Sequence, residues 1–81
     1  MWYVYVLQSF KNQSIYIGST NSIRRRFVEH QKGFCISTRV NRPWKIRLVV
    51  CVTTYNRARR LEKYFKSGSC RVILKKRFLS D

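Results

Sequence analysis

The 81-residue sequence contains only three acidic side chains, Glu29, Glu62 and Asp81. Three carboxylates that far apart leave a two-metal carboxylate cage out of reach. Histidine occurs once, as His30, and the three cysteines (Cys35, Cys51 and Cys70) form no CxxC pair. That leaves little for a structural zinc site. An odd, widely spaced cysteine set is also no disulfide framework, so the thiols read as reduced and intracellular. No apolar run approaches the roughly 20 residues that a helix needs to span a bilayer. The run from Trp2 to Leu7 is too short for the apolar region of a signal peptide with proper flanks. There is no internal repeat, linker or low-complexity segment. The expectation is one small cytoplasmic domain over residues 1–81.

Against that scarcity of acids stand 18 lysines and arginines, giving a net charge of +15. Such a charge opposes compaction and attracts polyanions. Nucleic acid is the first partner to consider. An anionic membrane surface comes second, because the basic residues are not gathered on one long amphipathic helix. A chain this size buries only about 60% of its unfolded surface, so the core is modest. With 44% hydrophobic and 15% aromatic residues the chain can still fold without a covalent staple.

Residues 2–8 (WYVYVLQ) read as a strand, with Tyr3, Tyr5 and Leu7 on one face and Trp2, Val4 and Val6 on the other. A polar turn over residues 9–13 leads to a second strand, residues 14–19. A hairpin pairing Leu7 with Ser14 sets Tyr5 opposite Tyr16. Such a ring pair can serve chemistry or simply pack. Residues 33–45 read as an irregular basic connection. Residues 46–54 form a third strand, Ile46, Leu48, Val50 and Val52 alternating with Arg47, Val49, Cys51 and Thr53. Both of its faces are largely apolar, so helices should cover much of both. Asn56 is placed to cap a helix ending near Lys66, with Gly68 as its stop and Ala58, Leu61 and Phe65 as its stripe. Glu62 falls on that inward face, where a carboxylate needs either a basic partner or a metal. Ser69 is placed to cap a last helix through Phe78, with Lys75, Lys76 and Arg77 as a basic patch.

The stretch Tyr16–His30 (YIGSTNSIRRRFVEH) organises the rest. It reads as strand, polar turn and helix, with Asn21 or Ser22 as N-cap, Ile23 and Phe27 as buried stripe, and Gly33 as stop. Arg26 and His30, four apart, lie at one edge of the stripe, and Arg25 points the opposite way. Arg24, Arg25 and Arg26 crowd the first turn, where the helix dipole disfavours cations but open N–H groups welcome an anion. A phosphate visitor and a solvated basic face both account for this pattern.

The YVY at Tyr3–Tyr5 and the YIG at Tyr16–Gly18 resemble the two signatures of the GIY-YIG nuclease family. So does the order that follows: an arginine in the next helix (Arg26), a histidine one turn on (His30), and a glutamate on a later helix (Glu62). The segments PWK (43–45) and LEKYFKSGS (61–69) resemble the small single-domain bacterial members. Nearly the whole chain is covered, and five matched positions in order make a specific signal. The resemblance implies an α+β fold, a small three-stranded antiparallel sheet flanked by three helices. It implies hydrolysis of DNA phosphodiesters with one divalent metal, Mg²⁺ or Mn²⁺. By residue, it makes Glu62 the metal ligand and Tyr16 the group that helps activate the attacking water. Tyr5 and His30 become its supports, and Arg26 the phosphate-binding arginine. The sequence departs from the family at Tyr3 and Val4, which replace Gly and Ile. Many relatives carry a late asparagine, but none occurs after Asn56. Cys70 stands where a glycine is common in small members.

The residue inventory suits this chemistry. One metal held by one carboxylate, waters and substrate phosphate needs no acid cage. A tyrosine, with a reference pKa of about 10, becomes a usable base only where nearby cations lower it. A small structural or partner-binding protein is disfavoured by the charge of +15, which leaves two readings: a metal-dependent DNA endonuclease, or a basic nucleic-acid-binding module that keeps the fold and cleaves poorly. Both contact DNA mainly through its backbone. Neither implies a membrane or a stable protein partner. Alternation and helical phase predict that Tyr5, Tyr16, Arg26, His30 and Glu62 converge on one side of the sheet.

Overall fold

A computed structural model describes residues 1–74 and residue 76. Strand β1 (Trp2–Ser9) is central, with β2 (Ile15–Thr20) and β3 (Trp44–Val52) antiparallel on either side, in the order β2-β1-β3. The helices are α1 (Ile23–Lys32), α2 (Ile36–Arg39), α3 (Tyr55–Phe65) and α4 (Gly68–Leu74). This is the α+β fold that the resemblance implies, with a fourth, one-turn helix in the connection read as irregular. The continuation of the last helix to Phe78, with Lys75 and Arg77, lies outside the described residues.

The β1–β2 register differs from the one the turn suggested. Tyr5 faces Gly18, and Leu7 faces Tyr16. The Ser9 hydroxyl accepts from the N–H groups of Lys11 (3.0 Å) and Asn12 (3.3 Å), and Gln13 takes a positive φ of 65°. The turn is thereby held between Ser9 and Ser14, whose backbone groups bond at 2.8 Å. A two-residue shift preserves side-chain parity, so Tyr5 and Tyr16 still share a face. Gly18 is what makes the new register possible. A Cβ there would lie 2.6 Å from the Tyr5 hydroxyl oxygen and 3.0 Å from a Tyr16 ring carbon.

The sheet has two differently built faces. On one, Val4, Val6 and Ile17 pack with Ala58 and Phe65 of α3 and with Cys70 and Leu74 of α4. Each buried aliphatic or aromatic side chain of this kind contributes about 1.5–3 kcal/mol. Cys70, the unusual residue in the resemblance, is thus a core side chain, 5% exposed. On the other face, Tyr5, Leu7 and Trp44 pack with Tyr16, Ile23 and Phe27 under α1. Helices do not cover this second face of β3 fully, since Val49 and Cys51 are exposed. Ile46 also leaves the alternation predicted for it. A register shift after Val6 sets Leu48 opposite Val6 but Ile46 opposite Leu7, and such a bulge turns the next side chain to the other face. Ile46 accordingly lines a small recess with Tyr5, Leu7 and Phe27.

Hydroxyl groups cap α1, α3 and α4. Ser22, one of the two residues proposed, caps α1 by accepting from the Arg25 N–H, and Gly33 ends that helix at φ 81°. Thr54, not Asn56, caps α3 by accepting from the Arg57 N–H at 3.2 Å. Ser67, not Ser69, accepts from the Cys70 N–H, so Gly68 begins α4 instead of terminating α3.

Candidate active site

The α1 face carries a chain of polar contacts running from β1 to α2. The Tyr5 hydroxyl lies 2.9 Å from His30 Nε2, and His30 Nδ1 lies 2.8 Å from Thr38 Oγ1. Burial, then the nearby Arg26 charge, holds His30 below the usual histidine range, so its ring is neutral. Burial and the neighbouring Tyr16 push Tyr5 well above the usual tyrosine value, so it keeps its proton. A neutral imidazole offers one donor and one acceptor. Thr38 donates its hydroxyl hydrogen to the Cys35 carbonyl at 3.4 Å. The consistent assignment therefore has Nδ1–H donating to Thr38 and the Tyr5 O–H donating to Nε2. His30, read from the sequence as an edge residue, is completely buried. Its polar partners make that burial affordable.

The supports of this chain are themselves fixed. Trp44 Nε1 donates to the Thr38 carbonyl at 2.9 Å. The Gln31 amide clamps the Trp44 backbone, accepting from its N–H at 2.7 Å and donating to its carbonyl at 3.0 Å. The Tyr16 ring stands 4.9 Å from His30, 6.2 Å from Tyr5 and 6.5 Å from Trp44, centroid to centroid. Unlike buried Tyr5, Tyr16 is half-buried. It lines an open cleft of about 220 Å³ with Ile15, Ile17, Lys66 and Arg71.

Arg26 Nη1 donates to Glu29 Oε1 at 2.8 Å, and the guanidinium also acts on the Tyr5 oxygen. That hydrogen bond holds the Glu29 carboxyl below the usual carboxylate range. Arg26 borders a cleft of about 440 Å³ with Ser19, Thr20, Asn21, Arg25 and Glu29. Arg25, expected to point away, borders the same cleft, but its guanidinium is drawn to Asn21 Oδ1 at 3.1 Å.

Glu62 does not join this cluster. Its Oε1 accepts from Ser19 Oγ at 2.7 Å and its Oε2 from Lys66 Nζ at 2.8 Å. Burial opposes ionisation, but the bonds from Lys66 and Ser19 outweigh it and hold the carboxyl below its usual range. Ser19 and Ile17 alternate with Tyr16 and Gly18 along β2. Ile17 packs against α3 and α4, whereas Tyr16 packs under α1. Glu62 therefore meets β2 from the opposite face to Tyr16, and the expected convergence on one side is not found. Helical phase told which side of α3 faces inward, but not which face of the sheet α3 covers. Because β2 is an edge strand, the two faces still meet around its rim. Lys66, the partner of Glu62, shares a cleft with Tyr16, and Ser19 shares one with Arg26.

The donor set bears on a metal. Among the described residues, no three His, Cys, Asp or Glu side chains gather. A hard divalent cation that keeps its waters needs only one or two carboxylates plus substrate phosphate. Glu62 suits that demand: it is ionised, its side chain is 16% exposed, and it lines an open cleft of about 390 Å³ with Arg59, Arg60, Lys63 and Lys66. A cation there must displace Lys66, whose side chain is 51% exposed and able to swing away.

Sequence reasoning missed Thr38, Trp44, Ser19, Glu29 and Lys66. Glu29 and Lys66 were findable, lying three residues from Arg26 and four from Glu62 on their helices. Thr38 and Trp44 act across a loop, where spacing carries no signal.

These features define a small α+β domain with a tyrosine–histidine–arginine cluster under its second strand. Residues 1–71 match the GIY-YIG catalytic domain. The chain is 38% identical over 68 residues to a UPF0213 protein of Bacillus licheniformis, covering 83% of this chain and 69% of that protein. No solved structure matches. The chain belongs to the GIY-YIG family, whose catalytic domains form a nuclease superfamily.

Proposed function

We propose that the protein is a divalent-metal-dependent DNA endonuclease that hydrolyses phosphodiester bonds with a single metal ion. The observation that carries this reading is the joined set of Tyr5, Tyr16, Arg26 and His30 beside open, cation-lined clefts. Arg26 is assigned to a phosphate oxygen, where a fixed guanidinium stabilises charge that develops during cleavage. Tyr5, protonated and bonded to His30, holds the imidazole in place. Tyr16, half-buried on the edge strand beside His30, is the group assigned to handle the proton of an attacking water. Glu62 is the proposed metal ligand, and Mg²⁺ and Mn²⁺ both suit one carboxylate completed by waters and phosphate. When bound, the ion supplies Lewis acidity and lowers the pKa of a coordinated water. DNA is held chiefly through its backbone by the excess of cations.

A second reading rests on a specific observation. Both Glu62 oxygens are engaged, and the residue meets β2 from the face opposite Tyr16. A module that binds nucleic acid through charge and cleaves weakly has that arrangement. The test is a time course on linear, nicked and branched DNA with Mg²⁺ or Mn²⁺ and an EDTA control, together with a salt titration of binding. Metal-dependent cutting supports the first reading. Salt-sensitive binding without cutting supports the second. On duplex DNA each neutralised phosphate adds about 0.9 to the log–log salt slope, so a flat titration rejects both.

A further inference from the structure

The connection between α1 and β3 exposes large apolar side chains that the proposed chemistry does not use. Phe34 is 71% exposed, Ile36 77% and Val40 68%. Phe34 follows the glycine that ends α1, and its N–H bonds the Glu29 carbonyl at 3.0 Å. In this capping geometry the apolar residue after the glycine usually folds back onto its helix; here it stands in solvent. Ile36 and Val40 are four apart across α2 and so project on one side of that turn.

Cations border these side chains. The Arg42 guanidinium lies against Gly33. Lys11 Nζ donates to the Val40 carbonyl at 3.3 Å. Arg39 and Lys32 are exposed alongside. No acid occurs between Glu29 and Glu62, and the chain carries +15. That charge repels a second copy and selects a polyanion. The surface is also rigidly tied to the cluster, because Thr38 of α2 is the partner of His30.

We propose that residues 33–43 form a second DNA-contact surface. Phe34, Ile36 and Val40 take up unstacked bases, while Lys11, Arg39 and Arg42 hold the flanking phosphates. The inference rests on the DNA-binding reading and deepens it: the favoured ligand is DNA with exposed bases, such as a gap or unpaired step, over intact duplex. Apolar wedges and aromatic platforms gain from bases already freed of their neighbours.

The test measures binding by fluorescence anisotropy, in EDTA, to one duplex and to the same duplex with a two-nucleotide gap. The probes are the wild type and the Phe34→Ala/Ile36→Ala double variant, whose exposed positions leave the core untouched. The wild type should prefer the gapped DNA. The double variant should lose about 5- to 150-fold on the gap, the range of alanine substitutions at stacking residues. Its duplex affinity and salt slope should stay unchanged. Restoring an aromatic with Phe34→Trp should recover the preference. Equal wild-type affinity for both DNAs, or a preference that survives the double substitution, overturns the inference while leaving DNA binding intact. No binding to either DNA overturns the DNA reading itself. A wild-type dimer in sedimentation that the double variant abolishes reassigns the surface to self-association and also overturns it.

Discussion

The two faces of the sheet use the same three strands for opposite purposes. Under α3 and α4, Val4, Val6, Ile17, Phe65 and Leu74 interlock with little polarity, and the gain is stability. Under α1, hydrogen bonds among Tyr5, His30 and Thr38 are set into a packed layer of Leu7, Trp44, Ile23 and Phe27, and a buried polar network of this kind specifies one geometry more than it stabilises the fold. Glu62 stands at the margin of the apolar face, and its bond to Ser19 brings it to the rim of β2. If the α1 face carries the proposed chemistry, reactivity and stability are separable in this domain, and substitutions should sort accordingly.

The largest separation is expected at Glu62. If it holds the metal, Glu62→Gln reduces cleavage to background, while DNA affinity stays level or rises with the loss of a negative charge near phosphate. Lys66 is half exposed but the Glu62 side chain is only 16% exposed, so losing the ion pair should cost more than the roughly 0–1 kcal/mol of a surface pair. A fully buried pair would cost about 3–5 kcal/mol. A Mg²⁺ time course, a binding titration and a melting curve on one variant read all three quantities. Cleavage at the parent rate would remove Glu62 from the site.

Next is Arg26 against Arg25. Both border one cleft, but only Arg26 acts on Tyr5. Arg26→Ala should lose about 10²- to 10³-fold in single-turnover rate, as for other positioned groups that stabilise transition-state charge. Arg25→Ala should mainly weaken binding. Equal rate losses would mean that both act through net charge.

The apolar face should behave in the reverse manner. Leu74, 2% exposed, anchors α4. Leu74→Ala should destabilise by about 2–5 kcal/mol in chemical denaturation. Activity per folded molecule should hold, because Leu74 packs in the α3–α4 cluster whereas Tyr5 and Tyr16 pack in the other. A folded variant with a slowed cleavage step would show that the two faces are coupled.

Much of this plan was readable from the residues. Alternation correctly placed Tyr5 and Leu7 opposite Val4 and Val6, and the spacing of Ile23, Phe27 and Gly33 gave α1 and its end. Where reasoning failed, the deciding interaction was nonlocal. The bulge that turns Ile46 and the Ser9 contacts that fix the hairpin register come from pairing, not from local pattern. α2 forms because Thr38 is gripped by His30 and Trp44, which four residues of propensity cannot announce. Glu62 was read correctly as inward on its helix. Its place relative to Tyr16 depended on the face that α3 chose, and both faces were apolar enough to accept a helix.

The smallest effect sharpens the contrast through pH. His30 is buried and neutral, with its pKa held below the usual 6.5 in the folded protein. On unfolding it regains a normal affinity for protons, so the unfolded state binds more protons between the folded value and 6.5. Stability therefore rises with pH across that window. The contribution is complete above 6.5 and is lost as pH falls toward the folded value. Glu29 and Glu62 are also depressed, but from 4.5, so their losses begin only in more acid solution. Denaturation midpoints of the wild type should thus start to decline just below neutrality, before the carboxylates contribute. His30→Gln keeps a side chain able to bond Tyr5 and removes the titration. Its midpoint should be flat down to about pH 5, with any lost packing appearing as a constant offset. An identical early decline in the variant would mean that His30 is not the group titrating and that the neutral imidazole assignment fails.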